Sequence, residues 1–137
     1  MLPEFAIRLL ISLAVIWFVL CLNWLANRVL LKRTSLKAKT LAEFLPGSPA
    51  ILYFTTPTCV PCKTLQRPAI QHLKEELGEA LQVLEIDASI QPALADEWGV
   101  LSVPTTFVID GRGQTRHINH GVATTEKLFQ QLKEIIQ

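Results

Sequence analysis

The sequence is short of charge, of cysteine and, over most of its length, of positive charge. Only 18% of its 137 residues are charged. Three cysteines are too few for a disulfide framework, which leaves redox or metal chemistry as their readings. There is one C-x-x-C and no second, so a four-thiolate zinc site is excluded. His117 and His120 lie more than fifty residues from the pair and read as surface residues, so no metal ligand is assigned. From residue 41 onward, seven basic side chains face eleven acidic ones, a net of −4. That balance gives no reason to expect nucleic acid as a partner. Internal repeats and low-complexity tracts are absent, and the length allows one compact domain and little more.

Acid is scarce in the first forty residues. Glu4 stands alone against Arg8, Arg28, Lys32, Arg33, Lys37 and Lys39, a net of +5. What this region holds instead is apolar bulk. From Phe5 to Ala26 the only ionisable side chain is Arg8, and Leu9 to Leu22 is interrupted only by Ser12. As a helix these residues span roughly 33 Å, close to the ~30 Å hydrocarbon core of a bilayer. Arg8 lies near enough to the end to snorkel, and Trp24 falls where an interfacial aromatic is expected. The sequence Asn23-Trp24-Leu25-Ala26 lacks the small-residue pattern of a cleavage site, so an uncleaved anchor is expected rather than a signal peptide. The division is therefore a transmembrane anchor over 1–31, a basic juxtamembrane linker over 32–39 and a globular domain over 40–137. The lipid bilayer is the partner of residues 5–26, and phospholipid headgroups are the partner of the basic cluster. The positive-inside rule places the domain in the cytoplasm. Cys21 reads as a small apolar residue within the span.

The rest alternates between strand and helix patterns. Thr40–Leu45 predicts a short helix stopped by Pro46-Gly47. Ala50–Phe54 is a continuous apolar run, the mark of a strand buried on both faces. A helix from about Cys59 to Leu77 presents Leu65, Ala69, Leu73 and Leu77 as one face, with a kink at Pro68 and a stop at Gly78. Leu81–Asp87 is a second strand and Gln91–Trp98 a short helix. Thr105–Ile109 and Thr115–Asn119 form a hairpin about the Asp110–Gly113 turn. Thr124–Ile136 closes the chain as an amphipathic helix with Leu128, Leu132 and Ile135 inward. An additional edge strand near Thr34–Lys37 is weakly written. The order β-α-β-α-β-β-α predicts an α/β domain with a central mixed sheet flanked by helices.

Cys59-Val60-Pro61-Cys62 falls between a buried strand and a helix. A cysteine at a helix N-terminus meets unpaired N–H groups and the positive end of the helix dipole, which favour its thiolate. The thiolate is the species that attacks a disulfide. Cys62 lies about one turn on, within reach of a mixed disulfide formed on Cys59. Pro61 stiffens the first turn, where its missing N–H costs nothing. An inert disulfide is the plainer alternative.

A second motif, Ser102-Val103-Pro104-Thr105, precedes an apolar strand. With Tyr53-Phe54, Cys59–Lys63, Ile86-Asp87, Trp98-Gly99-Val100, the Gly111/Gly113 turn and Gly121, it makes the region from Ala50 to Ile136 resemble the thioredoxin family. The resemblance implies a thioredoxin-like fold and protein thiol–disulfide exchange, with Cys59 as nucleophile and Cys62 as resolving cysteine. It implies a cis peptide before Pro104, with Val103, Pro104 and Pro61 at the substrate site. The redox centre is then the Cys59–Cys62 disulfide itself, with no further cofactor. The partners are protein thiol or disulfide substrates and an upstream electron donor or acceptor. Two departures stand out. The buried Asp of the family is Tyr53 here and its Lys partner is Val83, so the group that assists the second cysteine is missing and water or Glu85 is left to take that proton. The family's Trp before the first cysteine is Thr58. Many tethered members face outward, against the charge rule, so the side of the membrane stays open. Two alternatives stay open with it: a binding module without turnover, and a thiol oxidase or isomerase on the outer face.

Overall fold

The computed structural model describes residues 3–38, 41 and 43–136, with the backbone alone for 34–38. Contacts divide the chain into two units, residues 1–30 and 31–137. The apolar run forms α1, Glu4–Ala38. Its apolar side chains are exposed on every side, Trp17 at 71% among them. A helix apolar all round requires apolar surroundings. The stretch Glu4–Arg33 is long and apolar enough to cross a membrane, a property that anchors and signal sequences share. The hydroxyl of Ser12 donates to the Arg8 carbonyl at 2.9 Å, so the one polar interruption is satisfied within the helix. The Arg28 guanidinium lies 4.3 Å from the Trp24 ring centroid.

One expectation fails here: Thr34–Lys37 is helix rather than an edge strand, and the basic stretch is helical through Ala38. Between Ala26 and Ala38 there is no Gly or Pro to stop the helix, and Leu, Lys, Arg and Ala propagate it. Lys39 lies outside the described residues, as do Thr40 and Ala42 of the short helix expected at 40–45. The described remainder of that stretch is a turn, closed by the Phe44 N–H donating to the Leu41 carbonyl at 3.1 Å.

The second unit is a four-stranded mixed sheet in the order β2-β1-β3-β4. Its strands are β1 (Ala50–Thr55), β2 (Gln82–Asp87), β3 (Thr105–Ile109) and β4 (Thr115–His120). β1 runs parallel to β2 and antiparallel to β3, and β3–β4 is the expected hairpin. Among the described residues that follow β1, the α-helices are α2 (Arg67–Leu77), α3 (Pro92–Glu97) and α4 (Thr125–Ile136). β1 serves two cores at once, as its unbroken apolar run predicts. Ala50, Leu52 and Phe54 pack with Ala95, Trp98 and Phe107 on the α3 face. Ile51 and Tyr53 pack with Ile70, Leu73, Leu128 and Leu132 on the α2/α4 face.

The helix after the cysteines departs from the expected face. A π-helical turn covers Cys62–Gln66 before α2 begins. Pro68 has no N–H to give the Thr64 carbonyl, and the wider turn upstream takes up the lost i→i−4 bond. In that turn the Arg67 N–H reaches back to the Cys62 carbonyl. One residue more per turn rotates the buried face. Leu65, expected inward, is 58% exposed, while Gln66 is fully buried, as are Cys62, Ile70 and Leu73.

Candidate functional site

The sheet register gathers three loops. Phe54 is paired with Thr105, and Thr105 with His120. The end of β1, the start of β3 and the end of β4 therefore lie side by side. The loops at 56–61, 102–104 and 121–124 leave the sheet at that same edge. Cys59 is on the first, with Cys62 at its junction with the helix, and Val103 and Pro104 are on the second.

Cys59 and Cys62 form a disulfide with Cα atoms 5.3 Å apart. Cys59 precedes the first helical turn, and its N–H donates to the Thr56 carbonyl at 3.2 Å. The Cys62 N–H donates to the Cys59 sulfur at 3.3 Å. The two cysteines are unequally placed: Cys59 is 9% exposed and Cys62 1%. Val60 and Pro61 are exposed between them. The Val103–Pro104 peptide is cis. The Pro104 carbonyl accepts the Gly121 N–H at 2.9 Å, which couples the second loop to the third. Gly121 has φ of 86°, a conformation that glycine adopts without a steric penalty. Behind the second loop, Trp98 packs edge-on to Phe107 at 5.0 Å and stands 6.4 Å from Phe54.

Gln66 is a part of this site that the sequence did not disclose. Its amide oxygen accepts the Ala123 N–H at 2.8 Å, and its amide nitrogen donates to the Ala123 carbonyl at 3.2 Å. A buried side chain thus closes a two-bond clasp between the redox helix and the third loop. The signal that pointed here was Pro68, whose missing N–H favours a π-turn and so turns Gln66 inward.

Tyr53 also has a partner that position alone did not reveal. It is 1% exposed, and its hydroxyl accepts from Arg67 Nε at 3.3 Å. Arg67 Nη2 donates in turn to Glu85, which stands opposite Tyr53 in the β1–β2 register. Burial holds the Tyr53 hydroxyl above its ordinary titration range, partly offset by the Arg67 hydrogen bond. The same hydrogen bond to Tyr53, with that to Glu85, raises the Arg67 pKa, while the Ser89 hydroxyl lowers that of Asp87. Tyr53 is therefore neutral at physiological pH. Glu85, the carboxylate left to assist Cys62, is engaged by Arg67. It lines an open pocket of about 390 Å³ with Thr56, Pro57, Lys63 and Asp87, next to the redox loop. His117 is paired with Glu134 at 3.0 Å, on β4 and α4.

The thioredoxin family model matches residues 33–134. The chain belongs to the thioredoxin family. Among curated proteins, the thioredoxin domain is similar to a thioredoxin-like protein of Synechocystis. That match is 33% identical over 97 residues, covering 69% of this chain and 90% of that protein. A thiol:disulfide interchange protein DsbE of Xylella fastidiosa is 28% identical over 113 residues, 67% of this chain and 57% of that protein. Among solved structures, thioredoxin-2 of the malaria parasite superposes with a TM-score of 0.59 at 21% identity, covering 64% of this chain and 82% of that one. A mutant thioredoxin of Halobacterium salinarum gives 0.58 at 24%, covering 66% and 76%. These two share the fold. A thioredoxin domain carrying the Cys59–Cys62 pair supports thiol–disulfide oxidoreductase activity.

Proposed function

We propose that this thioredoxin domain exchanges dithiols and disulfides with protein substrates while held at a membrane by residues 5–26. The observation that carries the assignment of roles is the hydrogen bond from the Cys62 N–H to the Cys59 sulfur. A donor aimed at sulfur favours its thiolate, and the helix N-terminus adds to the effect. In the reduced site, the Cys59 thiolate attacks one sulfur of a substrate disulfide. The substrate's other sulfur leaves as a thiolate and takes a proton. Cys62 then loses its proton and attacks the Cys59 sulfur. The second substrate thiol is released, the Cys59–Cys62 disulfide forms, and two electrons have passed to the substrate. A donor dithiol restores the reduced pair. Val103 offers its backbone to the substrate strand, with Pro104 and Pro61 flanking the reacting sulfur. Tyr53 is neutral and Glu85 is bound to Arg67, so the Cys62 proton passes to water.

The Cys62→Ser chain tests this reading. It should retain substrates as mixed disulfides that dithiothreitol releases, and Cys59→Ser should retain none. Equal capture by both variants, or by neither, refutes the roles. The basic cluster that follows the span supports a domain on the cytoplasmic side and electron flow toward the substrate. Protease digestion of the domain from outside intact cells would reverse both assignments.

A further inference from the structure

Cys62 and Gln66 are the two buried residues of the π-turn, its first and its last. The Gln66 amide reaches Ala123 through two bonds, of 2.8 and 3.2 Å. Two residues before Ala123, the Gly121 N–H holds the Pro104 carbonyl at 2.9 Å. Val103 precedes Pro104 through the cis peptide. A path from Cys62 to Val103 thus crosses from helix to loop through one side chain, and from loop to loop through one backbone bond. An amide engaged at both polar ends fixes distance and orientation together, which an apolar side chain of the same length does not. π-turns inserted in helices recur at functional sites, and this one is what turns Gln66 toward the 121–124 loop.

Resting on the exchange reading above, we propose that Gln66 is a positioning residue for exchange with polypeptides. It holds the turn that carries Cys62 in register with the backbone of Val103. A polypeptide is anchored at Val103 and reacts at Cys59, so its anchorage and its sulfur geometry must be right at once. The Cys59 thiolate forms a bond to one substrate sulfur and expels the other as a thiolate. The Cys62 thiolate then bonds to the Cys59 sulfur and expels the first. Each attack needs its three sulfurs aligned, and for an anchored strand that alignment is set by the spacing between helix and loops. A small disulfide is free to align itself and does not depend on the clasp.

The test follows single-turnover oxidation of the reduced full chain in detergent micelles, with its thiols counted by maleimide labelling after an acid quench. The free Cys21 adds a constant label. Insulin is the polypeptide disulfide and bis(2-hydroxyethyl) disulfide the small one. The quantity read is the ratio of their second-order rate constants, from which the Cys59 thiolate fraction cancels. In Gln66→Met the ratio should fall by about tenfold, within what a displacement of about 1 Å can cost. Gln66→Glu supplies the discriminating measurement. A neutral carboxyl offers a donor and an acceptor as the amide does, whereas a carboxylate offers acceptors alone. Relative to the wild-type chain at the same pH, the Gln66→Glu ratio should match in acid and fall as the carboxyl ionises, while that of Gln66→Met stays low throughout. A merely structural role would lower both rates together and leave the ratio where it was. A wild-type ratio in Gln66→Met, or a Gln66→Glu ratio that does not move with pH, overturns the positioning role. If Gln66→Met does not fold, seen as loss of both rates, the Gln66→Glu profile decides alone. If the wild-type chain loses thiols to neither disulfide, the exchange reading itself fails and the positioning role with it.

Discussion

Replacing Gln66 with Met keeps the side chain's length and burial but removes both ends of the clasp. Gln66 is fully buried and joins the N–H and the carbonyl of Ala123, itself 0% exposed. Each orphaned backbone group then costs ~1–3 kcal/mol, because water cannot reach it. Relaxation of the 121–124 loop recovers part of that, so a net loss of about 2–4 kcal/mol is expected. For a domain of this size, that lowers Tm by roughly 10–20 °C. The measurement is thermal and urea unfolding of the unit 31–137, with Gln66→Glu as a second variant that retains only the acceptor. Gln66→Glu also buries a charge, and its loss should deepen as pH rises through the titration of the new carboxyl. The clasp reasoning is refuted if Gln66→Met costs less than about 0.5 kcal/mol, the range of a neutral surface change.

Tyr53 is the single tyrosine of the chain, so tyrosinate absorbance in the near ultraviolet reports it alone. Its midpoint should lie above the ordinary value of 10.0, and a midpoint at or below that value refutes the buried assignment. Because the folded pKa is raised, the corresponding stability is fully present below the unfolded pKa and is lost as pH rises through the folded one. Tyr53→Phe should abolish that alkaline loss while changing neutral-pH stability by about 1 kcal/mol or less, since the half-exposed Arg67 finds water instead. Glu85→Gln breaks a half-exposed ion pair and should cost under ~1 kcal/mol in urea unfolding, a larger loss marking a structural role for the pair. Gly121→Ala places a side chain at φ of 86° with nothing to clash with. It should cost about 1–2 kcal/mol from backbone strain alone. An unchanged unfolding midpoint would contradict that conformation.

Composition and period were enough wherever a feature depends on local chemistry. An apolar run with one interruption makes α1, and a five-residue apolar stretch makes a strand buried on both faces. Cysteines spaced by three at a strand–helix junction make the redox pair. Each such signal is carried by a few adjacent residues, which is why β1, β3, the hairpin and α4 stand where the pattern places them. Less was legible where two local signals competed. The basic residues after Arg28 read as a linker, yet nothing among them stops a helix. Leu65 and Ala69 fit a regular helical face, yet Pro68 between them changes the count per turn. Which of Leu65 and Gln66 faces the core was a matter for packing, because the π-turn is stabilised by the clasp to Ala123, fifty-seven residues away. Packing likewise brought Tyr53 to Arg67 and Glu85, a contact made where a helix crosses two parallel strands. Hydrogen bonds between distant segments leave no periodic trace in a sequence, and it is such bonds that join the second loop to the third and the helix after Cys62 to the third.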